Sequence, residues 1–242
     1  MISFSNTGAI KDITNFSVDN FSGELPSSNY ILTISDYNFY LKYGEKFIDS
    51  SISVGHTNTH LHVINPDGDI IERDGLTVTT STLEVNDEYK ARIASQRIFI
   101  WRNLLEKAPY AFWSFDIDGI FNSSFDFDYD GIGLYLRDDL ADTIMLAQMK
   151  NEPDKGWDLH GNQTYCAIFY ISPENVGYLD SVISDLHMSE MKWCVDQGSL
   201  YRAYAKCKKK YTFFQPEGRS INSTKWQTPH LYKFYHYGKG TE

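Results

Sequence analysis

Cysteine is scarce in this chain, with 3 residues in 242. Cys166, Cys194 and Cys207 are odd in number and lack any C-x-x-C spacing. That leaves no basis for a disulfide framework or a cysteine zinc site, and it points to a reducing compartment. No apolar run approaches the roughly 20 residues that cross a bilayer. Met1-Ile-Ser-Phe-Ser-Asn-Thr-Gly8 has neither the basic nor the apolar region of a secretory leader. A cytoplasmic protein, or one built into a particle assembled in the cytoplasm, is therefore expected, with no signal peptide and no membrane partner. A phosphate-binding glycine loop and a nucleophile elbow are missing too. No cofactor is expected.

The hydrophobic content of 42% is enough for a sizeable core. The net charge of −10 is unevenly spread: residues 1–189 hold 12 Lys+Arg against 28 Asp+Glu, and residues 190–242 hold 10 against 4. The body is acidic and the tail basic. Such asymmetry calls for an anionic partner at the tail, whether the protein's own body, a neighbouring subunit or nucleic acid.

Local patterns predict the elements. Tyr30-Ile-Leu-Thr-Ile34 and Phe39-Tyr-Leu-Lys-Tyr43 read as strands, and Leu61–Ile64 and Asp69–Glu72 as strands flanking the turn Asn65-Pro-Asp-Gly68. Tyr89, Ile93, Arg97, Ile100, Trp101, Leu104, Leu105 and Ala108 follow a helical period, giving a helix over 87–108. A strand follows at Ala111–Phe115. In Phe125–Leu136, alternating residues flank Asp130-Gly131, which reads as a β-hairpin. Helix is expected over Leu140–Lys150, a buried strand over Thr164–Ile171, and a helix after Ser172-Pro173-Glu174. Strands close the chain at Tyr211–Phe214 and His230–Tyr237. The fold class is α+β. An antiparallel β-rich region at 1–85 precedes a region at 86–242 in which two or three helices pack on a sheet, ending in the basic tail 190–242.

Several constellations could carry chemistry. His56, His60 and His62 share parity, so one extended strand would present three imidazoles on one face as metal ligands. Gly55, His60-x-His62, Asp67 and Gly75 resemble the first cupin motif, in which two histidines and a glutamate bind metal, although aspartate replaces the glutamate and the spacing differs by one. Asp126-x-Asp128-x-Asp130-Gly131 matches the opening of a calcium loop, but Arg137 stands where the closing glutamate belongs. Phe115-Asp-Ile-Asp-Gly119 resembles the nucleophile motif of haloacid-dehalogenase phosphatases, which would make Asp116 the nucleophile and Asp118 the proton carrier. Ile120 replaces the usual threonine, and no parallel α/β segment is expected ahead of it.

Gly131-Ile-Gly-Leu-Tyr-Leu136, a helix containing Ala141, and Tyr165-Cys-Ala-Ile-Phe-Tyr170 resemble the core of ADP-ribosyltransferases. That resemblance implies Tyr135 stacked on nicotinamide, Arg102 holding NAD, and Glu190 or Glu217 orienting the ribose. In the tail, Arg202, Lys206, Lys208, Lys209 and Lys210 lie among tyrosines and phenylalanines, a pattern that suits phosphate neutralisation and base stacking. The absence of a complete catalytic set, the aromatic content and the opposed charges favour a non-catalytic binding or assembly subunit. It would be of the kind found in virus or phage particles, docking its basic aromatic tail on an acidic protein partner or on a second copy. The alternative is an NAD-using enzyme or toxin similar to ADP-ribosyltransferases.

Overall fold

The structure, a computed structural model, describes residues 20–84, 89–136, 158, 160, 164–189, 194–216 and 234–236. The α+β class expected from the sequence is the class observed. Among the described residues a mixed sheet of eight strands runs β1-β4-β3-β2-β5-β8-β7-β9. In chain order these are β1 (Ser22–Gly23), β2 (Tyr30–Asp36), β3 (Thr59–Ile64), β4 (Leu76–Ser81), β5 (Phe112–Phe115), β7 (Ile132–Leu136), β8 (Thr164–Ile171) and β9 (Phe213–Phe214). A separate pair joins β6 (Gly119–Phe121) to β10 (Phe234–His236). The helices are α1 (Tyr37–Ser53), α2 (Tyr89–Lys107), α3 (Val176–His187) and α4 (Val195–Cys207). None of the described helices is long and apolar enough to cross a membrane.

β2, β3 and β4 pair in parallel, which corrects the antiparallel expectation, and only the short β1 lies antiparallel, on β4. Phe39–Tyr43 lies inside α1, where aromatic side chains recur on a helical face: Tyr40, Gly44, Phe47, Ile48 and Ser51 are buried. Asp36 starts the helix, its carboxylate accepting the Phe39 N–H at 2.9 Å. A helix between β2 and β3 returns the chain to the same end of the sheet, so the two strands pair in parallel. The polar stretch around Asp69–Glu72, expected as a strand, forms an irregular crossing to β4, which again pairs in parallel. All six residues of β3 are buried, because both faces of this strand are covered.

From β4 the chain crosses through α2 to the far side of β2 and forms β5, parallel to β2. Strand order in this half is thus β4-β3-β2-β5, and the chain reverses its direction of travel between β2 and β5. α1 packs on one face with Ile31, Leu61, Val63, Trp113 and Phe115. α2, α3 and α4 cover the other, over Leu32, Phe112, Phe169 and Ile171. Trp101 of α2 stacks on Phe169 at 4.3 Å and donates its indole N–H to Ser114. The helices expected at 87–108 and after Ser172 are α2 and α3, the latter entered through a 3-10 turn at Pro173–Asn175. The expected helix at Leu140–Lys150 lies outside the described residues.

No hairpin forms at Asp130-Gly131. Residues 124–129 are irregular, and β7 instead pairs with β8 and β9. The reason is visible in the hydrogen bonds. Trp113 donates to the Asp126 carbonyl at 2.7 Å, and the Tyr170 hydroxyl donates to the Phe127 carbonyl at 2.9 Å. These bonds tie the segment to the core, and Asp130 lacks the positive φ that a type I′ turn needs. Phe125, Phe127 and Tyr129 all pack into the α1-side core. Gly131 does adopt positive φ (117°), set by the Thr212 carbonyl, which a Cβ would approach to 2.6 Å.

Candidate functional site

Where a parallel sheet is wound from both sides, the helices on opposite faces diverge at the reversal and leave a crevice beyond the carboxyl ends of the strands. Here that point lies between β2 and β5. Thr33 and Phe115 are register partners, so β2 continues past the end of β5 through Ile34, Ser35 and Asp36. β5 is followed at once by Asp116-Ile117-Asp118. Ile117 is 3% exposed and belongs to the α1-side core, while Asp116 and Asp118 flank it and remain partly exposed. The aspartate pair read as a phosphatase-like motif thus stands after a parallel α/β segment, contrary to expectation, and beside the reversal of strand order.

Neighbouring elements hold the first aspartate. Its N–H donates to the Ala167 carbonyl of β8 at 3.1 Å. That contact is made at a bulge: Leu134 faces Phe169 but Leu136 faces Thr164, so three residues of β7 oppose six of β8. Arg97 Nη1 donates to Asp116 Oδ1 at 2.8 Å. Behind it lies Asp196, in the first turn of α4, 1% exposed, with Oδ2 at 3.6 Å from Arg97 Nε. Arg97 spends that Nε–H on the Ala94 carbonyl at 3.0 Å, and Asp196 Oδ2 has no hydrogen-bond partner. Burial pushes the Asp196 carboxyl upward, with Arg97 acting against it. Burial disfavours the Arg97 charge, but Asp116 and Asp196 outweigh it and raise the guanidinium above its ordinary value. Cys166, also buried, is held as a neutral thiol by burial and then by the Asp196 charge.

Two further polar groups belong to the carboxyl half of β2. Thr33 Oγ1 and Ser35 Oγ are buried and have no hydrogen-bond partner. They share the face of Ile31 and Phe115 and point toward the α1 side of the sheet, away from Asp116. The chain matches no protein-family model and no curated protein.

The sequence candidates lie elsewhere. His60 and His62 are fully buried in β3, and their ring nitrogens lie within 2.8–2.9 Å of the hydroxyls of Thr77, Thr79 and Ser81 on β4. His56 precedes the strand, so the three rings do not share a face. It accepts the Phe125 N–H at 3.3 Å amid Phe121 and Phe125. Asp126, Asp128 and Asp130 are exposed on the irregular segment, the last two rimming a shallow cavity of about 380 Å³ with Glu174, Tyr110 and Tyr170. Among the described residues no three His, Cys, Asp or Glu side chains gather around a common metal position.

Tyr135 is 1% exposed beside Ala167. Its parity is opposite to Ile132 and Leu134, which face α2 and α3, so the sheet separates it from Arg102. Arg102 pairs with Asp180 at 2.8 Å and with Glu106 at 3.1 Å. Glu190 and Glu217 lie outside the described residues. In the tail, Arg202 is enclosed by Asp158, Asp185, Ser189 and Ser199, and Lys206 reaches Asp185 at 3.1 Å. Burial raises the Asp185 carboxyl, but hydrogen bonds from Arg202 and Lys206 outweigh it and hold it below its ordinary value. Lys208, Lys209 and Lys210 are exposed just past α4.

Reading the sequence misses Arg97 and Asp196 as site residues. Arg97 had a signal: it interrupts the apolar stripe of α2, where a charge must have a buried partner. Asp196 had none, since its helix was not foreseen.

Proposed function

We propose that the chain is a divalent-cation-dependent transferase acting on a nucleoside-diphosphate-activated donor, in its simplest form a glycosyl donor. The observation that carries this reading is Asp116-Ile117-Asp118 at the carboxyl end of β5, beside the reversal of strand order. A hard cation such as Mg2+ is bound by one or two carboxylates together with substrate phosphates, which is the number of carboxylates this turn offers. Crevices at such reversals accept nucleotides. The cation would neutralise charge on a departing diphosphate. A diphosphate leaving from a carbon able to carry positive charge, as an anomeric carbon is, needs no covalent nucleophile from the protein. An ion-paired Asp116 suits the part of a ligand better than that of a nucleophile attacking phosphorus.

Thermal unfolding tests this. Mn2+ should raise Tm, nucleoside diphosphates should raise it further only when Mn2+ is present, and Asp116→Asn and Asp118→Asn should each abolish both shifts. No shift with any nucleotide, or an equal shift in both variants, contradicts the reading. In that event the surface reading gains, with docking on an acidic partner narrowed to Lys208, Lys209 and Lys210, because Arg202 and Lys206 already serve acids within the protein.

A further inference from the structure

Arg97 occupies the position a cation would want. Its Nη1 lies 2.8 Å from Asp116 Oδ1, and its guanidinium also faces the buried Asp196, whose side chain is 2% exposed against 29% for Asp116. A divalent ion on Asp116 and a guanidinium on the same oxygen would repel each other at close range. The arginine has somewhere to go. Asp196 Oδ2 has no hydrogen-bond partner and stands 3.6 Å from Nε. A charge-assisted N–H···O bond is about 2.8 Å long, so the guanidinium needs to move by about 0.8 Å and to release the Ala94 carbonyl, which now takes its Nε–H.

We propose that Arg97 is a resident counter-ion that holds Asp116 while the site is empty, then yields it to an incoming divalent cation and closes on the waiting carboxylate of Asp196. The inference rests on the cation reading of Asp116 and Asp118. Arg97 and Asp196 act through Asp116 and are positioning residues. The pair makes cation binding an exchange of partners, which leaves neither the guanidinium nor the buried carboxylate stranded.

Titration of the full chain with Mn2+ alone, followed by the electron paramagnetic resonance of the free ion, tests it with variants of opposite expected sign. Arg97→Gln removes the competitor and should bind Mn2+ at least about threefold tighter. Asp196→Asn removes the alternative partner and should bind about threefold weaker. General destabilisation of the fold cannot produce a gain. If Arg97→Gln does not fold, Arg97→Gln/Asp196→Asn keeps the charge balanced, and it should bind more tightly than Asp196→Asn alone. A crystal structure with Mn2+ should show Arg97 hydrogen-bonded to Asp196 and released from Asp116. If Asp116→Asn abolishes binding but Arg97→Gln brings no gain, or Arg97 stays on Asp116 in the loaded structure, the exchange is wrong and the cation site stands. If Asp116→Asn binds as the wild type does, both fall.

Discussion

Each ring nitrogen of His60 and His62 lies 2.8 or 2.9 Å from a hydroxyl oxygen, with the single Thr79 hydroxyl serving both rings. That hydroxyl can donate to one ring and must accept from the other, so neutral tautomers run in one direction along the ladder. Burial pushes both imidazoles down to about 3, with His60 adding to the effect on His62. The sign follows from linkage: the unfolded chain takes up protons near the ordinary value of about 6.5, whereas the folded chain refuses them until about pH 3. Stability should therefore be flat above about pH 6.5 and fall as pH drops below it, by about 2 kcal/mol per histidine at pH 5. Urea unfolding of wild type and His62→Gln at pH 7 and pH 5 checks this. The variant should lose less stability between the two values, and an equal loss in both proteins would refute the account. Parity placed His60 and His62 on one face of a strand. It did not reveal the hydroxyls of Thr77, Thr79 and Ser81, because they come from a parallel strand that sequence patterning does not pair.

At the scale of elements, what the sequence made legible was whatever one local signal decides. β8, α2 and α3 lie within a few residues of expectation because a long apolar run, a sustained helical period and a Ser-Pro-Glu start each belong to a single element. α1 misled because Phe39, Tyr40 and Tyr43 favour strands intrinsically, while the spacing of Tyr40 and Tyr43 with Phe47 and Ile48 makes a helical face that packs on β2 and β3. The Asp-Gly signal failed for the opposite reason: Gly131 takes positive φ but Asp130 does not, and Trp113 and Tyr170 tie the preceding carbonyls to the core. On the α2 face, Trp101 couples helix to sheet through Phe169 and Ser114. Trp101→Ala should cost about 3–5 kcal/mol in denaturant unfolding. A loss below about 1 kcal/mol would mean that α2 is held by other contacts.

On the scale of the whole molecule, the charge asymmetry seen in the sequence resolves into two arrangements. Arg202 and Lys206 answer Asp158 and Asp185 inside the fold, and among the described residues of the tail Lys208, Lys209 and Lys210 stay exposed for a partner. The crevice was illegible because it depends on topology: Asp116 becomes a site residue only when β5 is inserted beside β2, and Asp196 only when α4 packs against α2. Both facts depend on pairings between distant parts of the chain. The most direct test of the account is a crystal structure of the protein with Mn2+ and a nucleoside diphosphate. It should place the ion on Asp116 and Asp118, with the diphosphate bridging to it and the nucleoside against the carboxyl end of β2. An ion or nucleotide bound elsewhere, with the crevice empty, would contradict it.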